Sequence, residues 1–543
     1  MLIFQDKTIV NGINCYSGEQ LLPRYTVPCC KVTASGNCSN EKILIGNKVL
    51  RNFTNSKYPV CTIKSGGFVL LDYGCELSGG VRIVTGMMPS CKVRLRFGES
   101  VAEACADPNM DHVIHDVILP LSLLSSTDFG NTGFRFVRLD VLEGNLELVN
   151  LCAIAEIHTF EQKGYFHCSD ELLNRIFDTA SRTVSLCIQD YILDGIKRDR
   201  LLWGGDMHPE VQAILHVFGA IAPIDHTIGE LCNNTISGSF INGHTSYSLW
   251  MLMVIHELWY YSNDNEILNK YKWFIVETVN KYLPMIAEDG VVTLTGYVFL
   301  DWPSSDDPTG VQAGLHGLLS LALQRAKTMY KELGLDTYPI EKALDYLTLR
   351  VPAPGCNKGA AALQHLAKLA DRTRELEENP FSNITTFLGG YVLQAKDNRK
   401  ALELVRKYWG GMLSMNATTF WEDFDLEWLK ENPTKIDEMP VAGRKNIHAD
   451  FGSYCYQGFR HSLCHGWASG PVSWCMQKIL GITPLKPGFA EISFTPDLCG
   501  MEFAEGAVPT PYGVIKVKLQ KGKEPQITLP SARQKIQTES MCQ

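Results

Sequence analysis

The chain has 543 residues, 45% hydrophobic and 20% charged, with a formal net charge of −9. That length exceeds one compact core, so two to four domains are expected, and the composition excludes an intrinsically disordered chain. The acidic balance argues against nucleic acid or an anionic membrane surface as the main partner and leaves neutral ligands open.

The opening MLIFQDKTIVNG lacks the basic and long apolar regions of a secretory signal. No apolar run reaches the roughly 18–20 residues that a membrane helix needs. The 18 cysteines are irregularly spaced, with Cys29 beside Cys30 and no CxxC or Cys/His zinc pattern. They read as free thiols of a reducing compartment, so a cytoplasmic location is expected. No cofactor and no dedicated metal site are expected, an incidental loop Ca²⁺ aside, and the oligomeric state leaves no signature.

Residues 1–160 carry short β-type runs broken by turn residues: Phe68–Gly74, Val81–Gly86, Val93–Glu99 and Phe134–Leu142. Several alternate apolar and polar residues, as half-buried antiparallel strands of a sandwich do. Near Cys168 the period changes. Ser169 suits the N-cap of a helix whose apolar positions Leu172, Leu173, Ile176, Phe177, Ala180, Val184 and Cys187 repeat every 3.6 residues.

Helical patterns then dominate residues 161–482: Val211–Ala220, Ser248–Tyr261, Ile267–Ile286, Val311–Leu333, Ile340–Arg350, Thr386–Gln394, Ala401–Met415 and Trp467–Leu480. About ten to twelve helices of this kind need a layered arrangement, and paired helices closing into a toroid is an economical one. β-patterns return over residues 483–543, in AEISFTP, VPTPYGVIKVKL and QITLP, and the final ARQKIQTESMCQ reads as frayed.

Four loops put acids or a histidine beside tryptophan. In DGIKRDRLLWGGDMHPE, Asp194, Asp199 and Asp206 alternate with Lys197, Arg198 and Arg200. A solvated loop whose ions pair with one another is the plain alternative. Against it, Trp203 beside Gly204–Gly205 offers a flat apolar face and backbone that can approach a ligand closely. NATTFWEDFDLEW sets Trp421 before Glu422, with Asp423 and Asp425 close; a helix start capped by Thr418 or Thr419 is its competing explanation. VFLDWPSSDD holds Asp301 and Trp302 in a loop, because the residue before proline disfavours the helical region. SLCHGWASGP puts His465 and Trp467 ahead of a helix, where a structural histidine is the alternative. Acids on two sides of one bound ring are what glycosidic cleavage requires.

These segments resemble the α-L-rhamnosidases of glycoside hydrolase family 78. Asp194, Asp199 and Trp203–Asp206 match that family's acidic loop, Thr418–Glu422 its TT-x-WE segment, Asp301–Trp302 its DW loop and His465 its late histidine. Pro487–Pro496 and Gly506–Gly513 are similar to its C-terminal domain. Leu71–Val81 and RFGES at Arg96–Ser100 are similar to its amino-terminal sandwich. The resemblance implies a multidomain α + β protein: a central (α/α)6 barrel over residues 161–482, an N-terminal β-sandwich over 1–160 and a small C-terminal β-sheet domain over 483–543. It implies an inverting glycosidase that removes terminal α-L-rhamnose from a rhamnose-containing glycoside, with Asp199 as general acid and Glu422 as general base. Asp194, Arg198, Trp203, Asp206, Asp301, Trp302, Trp421 and His465 would bind the sugar.

One residue departs from the family pattern. The family's acid is usually Glu, and Asp199 is one methylene shorter; Glu210 is a substitute donor. Two further readings stay open: an (α/α)6 hydrolase for another deoxyhexose or a uronic acid, and a carbohydrate-binding protein without turnover.

Overall fold

The computed structural model describes residues 22–51, 58–107 and 116–537, with the backbone of the pairs Ile9–Val10 and Ile13–Asn14. Most of the opening segment and the final residues 538–543 lie outside the described residues.

The amino-terminal β-domain has the strand order Arg24–Val27, Leu146–Glu156, Cys61–Thr85, Ser126–Glu143, Cys91–Gly98, Asp116–Leu121, and Lys31–Ser39 pairs with Cys61–Thr85. Hydrogen bonding is continuous because Cys61–Thr85 is 25 residues long and shifts register against Ser126–Glu143 between Asp72 and Leu77 and between Gly79 and Val81. Such bulges bend a strand without ending its pairing. The domain encloses its own core, including Val69, Leu71, Ile83, Val93, Leu95, Leu139 and Val141. Helix α1 (Val101–Cys105) follows, capped by Ser100.

Twelve helices follow: α2 Glu171–Cys187, α3 Met207–Val217, α4 Ala222–Asn234, α5 Thr245–Ser262, α6 Asn265–Tyr282, α7 Pro308–Glu332, α8 Tyr338–Leu349, α9 Lys358–Leu366, α10 Thr373–Glu377, α11 Thr386–Ala395, α12 Asn398–Ser414 and α13 Gly470–Trp474. α3 packs on α5, α5 on α7, α7 on α9, α9 on α11, α11 on α13, and α13 back on α3, so six inner helices close a ring. The even-numbered helices form the outer layer, with α12 against α2. This is an (α/α)6 barrel. Inner helices bury nearly every position: in α5, residues Thr245–Trp259 are all buried, including Trp250 and Trp259, whereas outer α12 hides only one face. The 3.6-residue period is therefore clearest on outer helices.

Three local expectations change. Asp170, not Ser169, caps α2, accepting from Leu172 N at 3.1 Å and Leu173 N at 3.3 Å, while the Ser169 hydroxyl takes Glu502 N. Thr418 and Thr419 cap nothing: Thr418 Oγ1 accepts from Glu76 N at 2.9 Å and Thr419 donates to Leu463 O at 2.7 Å. Part of the final segment is ordered, since Lys535–Gln537 pairs in parallel with Glu491–Phe494.

At the carboxyl end, Phe503–Thr510, Gly513–Gln520 and Gln526–Thr528 form an antiparallel sheet whose other edge is Tyr165–Cys168, just before α2. Ile482–Pro484 joins Glu491–Phe494 in a second small sheet. Every cysteine among the described residues is unpaired. No helix among those residues is long and apolar enough to cross a membrane.

Candidate active site

The inner helices begin at one mouth of the barrel, and the loops that precede them line it. A cavity of about 250 Å³ there is lined by Asp194, Arg198, Asp199, Trp203, Asp206, Trp302, Glu422 and His465, with His244, Tyr247, Cys455, Tyr456, Arg460 and Trp467 completing the wall. Drug-sized ligands occupy roughly 300–1,000 Å³, so the space suits one ring rather than a chain.

The acidic loop is tied at its neck. Asp194 N donates to Leu201 O at 3.2 Å and Leu201 N to Asp194 Oδ1 at 2.9 Å. Within it the three cations point three ways. Lys197 runs inward to Glu99 and Glu103, Arg198 crosses to Glu422, and Arg200 donates to Asn131 O at 2.6 Å. Only Arg198 pairs with an acid of its own loop, Asp199, at 3.0 Å. The self-paired loop is thus not what forms. Asp199 and Arg200 both have left-handed backbone, at φ 53° and 51°. Aspartate tolerates that region better than most residues, and such backbone concentrates at functional sites.

Glu422 faces the loop from the opposite side. Its Oε1 meets the Arg198 guanidinium and lies 3.8 Å from His465 Nδ1; its Oε2 accepts from Ser462 N at 3.0 Å. The backbone behind it is fixed by Glu422 N to Ser462 O at 3.0 Å and Trp467 Nε1 to Glu422 O at 3.1 Å. One guanidinium therefore touches both Asp199 and Glu422.

On the floor, His465 Nε2 lies 3.1 Å from Asp206 Oδ1. Asp206 stands at the N-cap of α3 but makes no cap bond, since its carboxylate serves the histidine. Burial works against a charged imidazole at His465, yet Glu422, the Asp206 bond and Asp194 outweigh it and raise its pKa. Burial is also the main reason the Asp194 carboxyl is pushed up to about 8, with His465 opposing and Asp206 and Asp199 reinforcing. Asp206 is raised by burial too, against His465. Near neutrality Asp194 thus keeps its proton and can both donate to and accept from a hydroxyl. Trp203 meets His244 and Tyr247 edge-on, and His244 stacks on Tyr247 at 4.6 Å, giving an aromatic side to this acidic floor.

Three expected residues lie elsewhere. Trp421 is fully buried and does not line the cavity; its ring packs edge-on against Phe424 and His461, since alternation along this extended segment turns Glu422 toward the cavity and Trp421 away. Asp301 lines a neighbouring cavity of about 390 Å³ with Asp307, Asp423 and Trp428, while the next residue, Trp302, faces the first. Asp301 caps the turn Trp302–Ser304 through Ser304 N at 3.1 Å, and burial pushes its carboxyl up to about 6. Glu210 is buried beneath Gly466, where even a Cβ would stand 1.8 Å from Glu210 Oε1, so it does not reach a glycosidic oxygen at the mouth.

Among the described residues one group could hold a metal ion, Glu99, Glu103 and His448. The Lys197 ammonium sits 2.9 Å from Glu99 and 3.2 Å from Glu103 and supplies a cation there already.

The sequence matches the family model of the bacterial alpha-L-rhamnosidase six-hairpin glycosidase domain over residues 161–319, and that of the bacterial alpha-L-rhamnosidase C-terminal domain over residues 481–530. Over those two segments the chain is similar to bacterial alpha-L-rhamnosidases. Its fold is similar to that of a family 78 rhamnosidase of Bacillus sp. GL1, at 18% identity and TM-score 0.69, covering 90% of this chain and 54% of that one. It is similar also to a rhamnosidase from Klebsiella oxytoca with rhamnose bound, at 21% identity and TM-score 0.66, covering 84% and 96%. A Streptomyces avermitilis alpha-L-rhamnosidase complexed with L-rhamnose aligns at 15% identity and TM-score 0.65, covering 86% and 48%. The chain thus spans about half the length of the Bacillus protein. No curated protein sequence matches it.

Sequence reasoning missed His244, Tyr247, Cys455, Tyr456 and Arg460 as cavity-lining residues. His244 and Tyr247 had a usable signal, because they stand just before the expected helix Ser248–Tyr261. Tyr456 and Arg460 sit in an aperiodic loop that offered none.

Proposed function

We propose that the protein is an inverting glycoside hydrolase that removes terminal α-L-rhamnose, with Asp199 as the proton donor and Glu422 as the base that activates water. The observation that carries this is the meeting of Asp199 and Glu422, from two distant loops, in one ring-sized cavity with Arg198, His465 and Asp206. Water next to Glu422 attacks the anomeric carbon, and Asp199 protonates the departing oxygen from the other face. Asp199 Oδ1 is bonded to Arg198, so donation requires that this bond give way to the glycosidic oxygen. Protonated Asp194 and the Asp206–His465 pair hold ring hydroxyls, and Trp203 and Trp302 cover the apolar face with its C6 methyl. The substrate is a rhamnose-containing glycoside, and the domain frame is a barrel over residues 161–482. The free thiols of the described residues favour a reducing, cytoplasmic location.

The test is cleavage of an aryl α-L-rhamnoside, with the anomer of the released sugar followed by NMR. Asp199→Asn and Glu422→Gln are each expected to lower kcat at least about a hundredfold while rhamnose still binds, the scale of lost general acid–base catalysis. Wild-type turnover in either variant removes that residue from its role, and a retained anomer overturns the water mechanism. A second reading, sugar binding without turnover, draws on the short Asp199 side chain and its bond to Arg198. Calorimetric binding of rhamnose with no product from any rhamnoside would establish it.

A further inference from the structure

The RFGES run at Arg96–Ser100 and the lysine that opens the KRD run have no place in the chemistry above, yet they meet. Glu99 and Glu103, at the end of strand Cys91–Gly98 and in α1, are both buried. Between them and the barrel lies the Lys197 ammonium, which also donates to Phe459 O and His461 O at 2.8 Å. Burial opposes that charge, but Glu103 and Glu99 more than restore it and hold the pKa above its usual value. Glu99 has a second attachment: Leu463 N donates to its Oε2 at 2.7 Å and the Ser462 hydroxyl to its Oε1 at 3.4 Å. Ser462 is the residue whose N–H holds Glu422 Oε2 at 3.0 Å. Lys197 directly precedes Arg198 and Asp199.

We infer that Glu99 of the amino-terminal β-domain is a positioning residue that fixes the spacing between Asp199 and Glu422, gripping one through Lys197 and the other through Ser462 and Leu463. The inference rests on the assignment of those two carboxyls as acid and base. One buried carboxylate carries both attachments, so neither catalytic loop can shift without straining the other. Breaking a buried ion pair leaves an uncompensated charge, which makes the grip stiff. A shift of about 1 Å in a catalytic group can lower the rate about a hundredfold. Glu103 is the internal control: it holds the same ammonium and accepts from Glu99 N at 2.8 Å, while the bonds from Ser462 and Leu463 go to Glu99.

The experiment compares Glu99→Gln with Glu103→Gln in the full chain, measuring kcat and KM on an aryl α-L-rhamnoside and hydrogen exchange along the backbone. Glu99→Gln is expected to lower kcat about 10- to 100-fold with KM within about twofold, and to speed exchange only at 195–200 and 459–465. Glu103→Gln is expected to lower kcat by less than about threefold. Wild-type kcat and protection in Glu99→Gln overturn the inference. Equal losses in both variants, with exchange rising throughout the chain, also overturn it, because Glu99 would then be merely a stabilising residue. If Glu99→Gln does not fold, Glu99→Asp keeps the charge but withdraws the acceptor by one methylene, and the same outcomes apply. If the wild-type chain cleaves no rhamnoside, the acid–base assignment fails, and localised against global exchange still decides whether Glu99 holds the two loops.

Discussion

Asp194 shows how one residue ties the site's chemistry to the stability of the chain. Folded, its carboxyl keeps its proton to about pH 8; unfolded, it ionises near 3.8. Between those values the unfolded chain binds fewer protons, so stability falls as pH rises, and above about 8 the full cost of a buried carboxylate is present. Asparagine is close in shape to the protonated acid and keeps an acceptor for Leu201 N. Asp194→Asn is therefore expected to flatten the decline in melting temperature between pH 5 and 8, with the variant at least as stable as wild type at pH 8. A variant curve parallel to wild type across that range would show that Asp194 is not held protonated. The neighbouring Asp206 is raised for the same reason of burial but has His465 as partner, so its asparagine variant keeps an acceptor for the imidazole and loses the negative charge that favours its protonated form.

At the scale of elements, the loops before the inner helices set the shape of the cavity, and glycines let them pack closely. A Cβ on Gly205 would lie 2.4 Å from Tyr247 Cε1. Gly205→Ala must displace that ring, and with it stacked His244, in the wall of the cavity. The expected result is a several-fold rise in KM, a smaller change in kcat, and a loss of about 1–3 kcal/mol in stability from overpacking; an unchanged KM would place Tyr247 outside the contact surface. The sequence made the barrel legible where helices are amphipathic, as in α2 and α12, and where long apolar runs mark an inner helix, as in α5. It hid α4, α9 and α10. α9, KGAAALQHL, buries alanines and a glycine against α7 and α11, and such small residues give a weak periodic signal. The site was legible through its acid–tryptophan loops, but which neighbour faced inward was not. Asp301 and Trp302, or Trp421 and Glu422, point to opposite sides, and only the path of the backbone decides which.

Across the whole molecule the two β-regions relate to the barrel in different ways. The amino-terminal domain has its own apolar core and meets the barrel through polar contacts (Lys197 with Glu99 and Glu103, Arg135 with Asn416 O at 3.1 Å, and Glu76 N with Thr418 Oγ1) and a small apolar patch of Ile157 on Leu186, Ile196 and Cys464. The carboxyl-terminal sheet has no such independence. Ala504, Val508, Ile515 and Val517 belong to the same continuous core as the barrel helices, and Tyr165–Cys168, ahead of α2, completes that sheet. Each fully buried valine or isoleucine contributes about 1.5–3 kcal/mol, while a domain's net stability is only about 5–15 kcal/mol. Removing residues 481–543 takes away several such side chains, uncovers their barrel counterparts and leaves one strand unpaired. The truncated chain is expected to be insoluble or to lack a cooperative melt, whereas in the full chain the barrel and carboxyl-terminal sheet should unfold in one calorimetric transition. A soluble truncated protein with a sharp transition and native helical circular dichroism would show that the shared core is dispensable, and the carboxyl-terminal sheet would then be an appendage rather than part of the barrel.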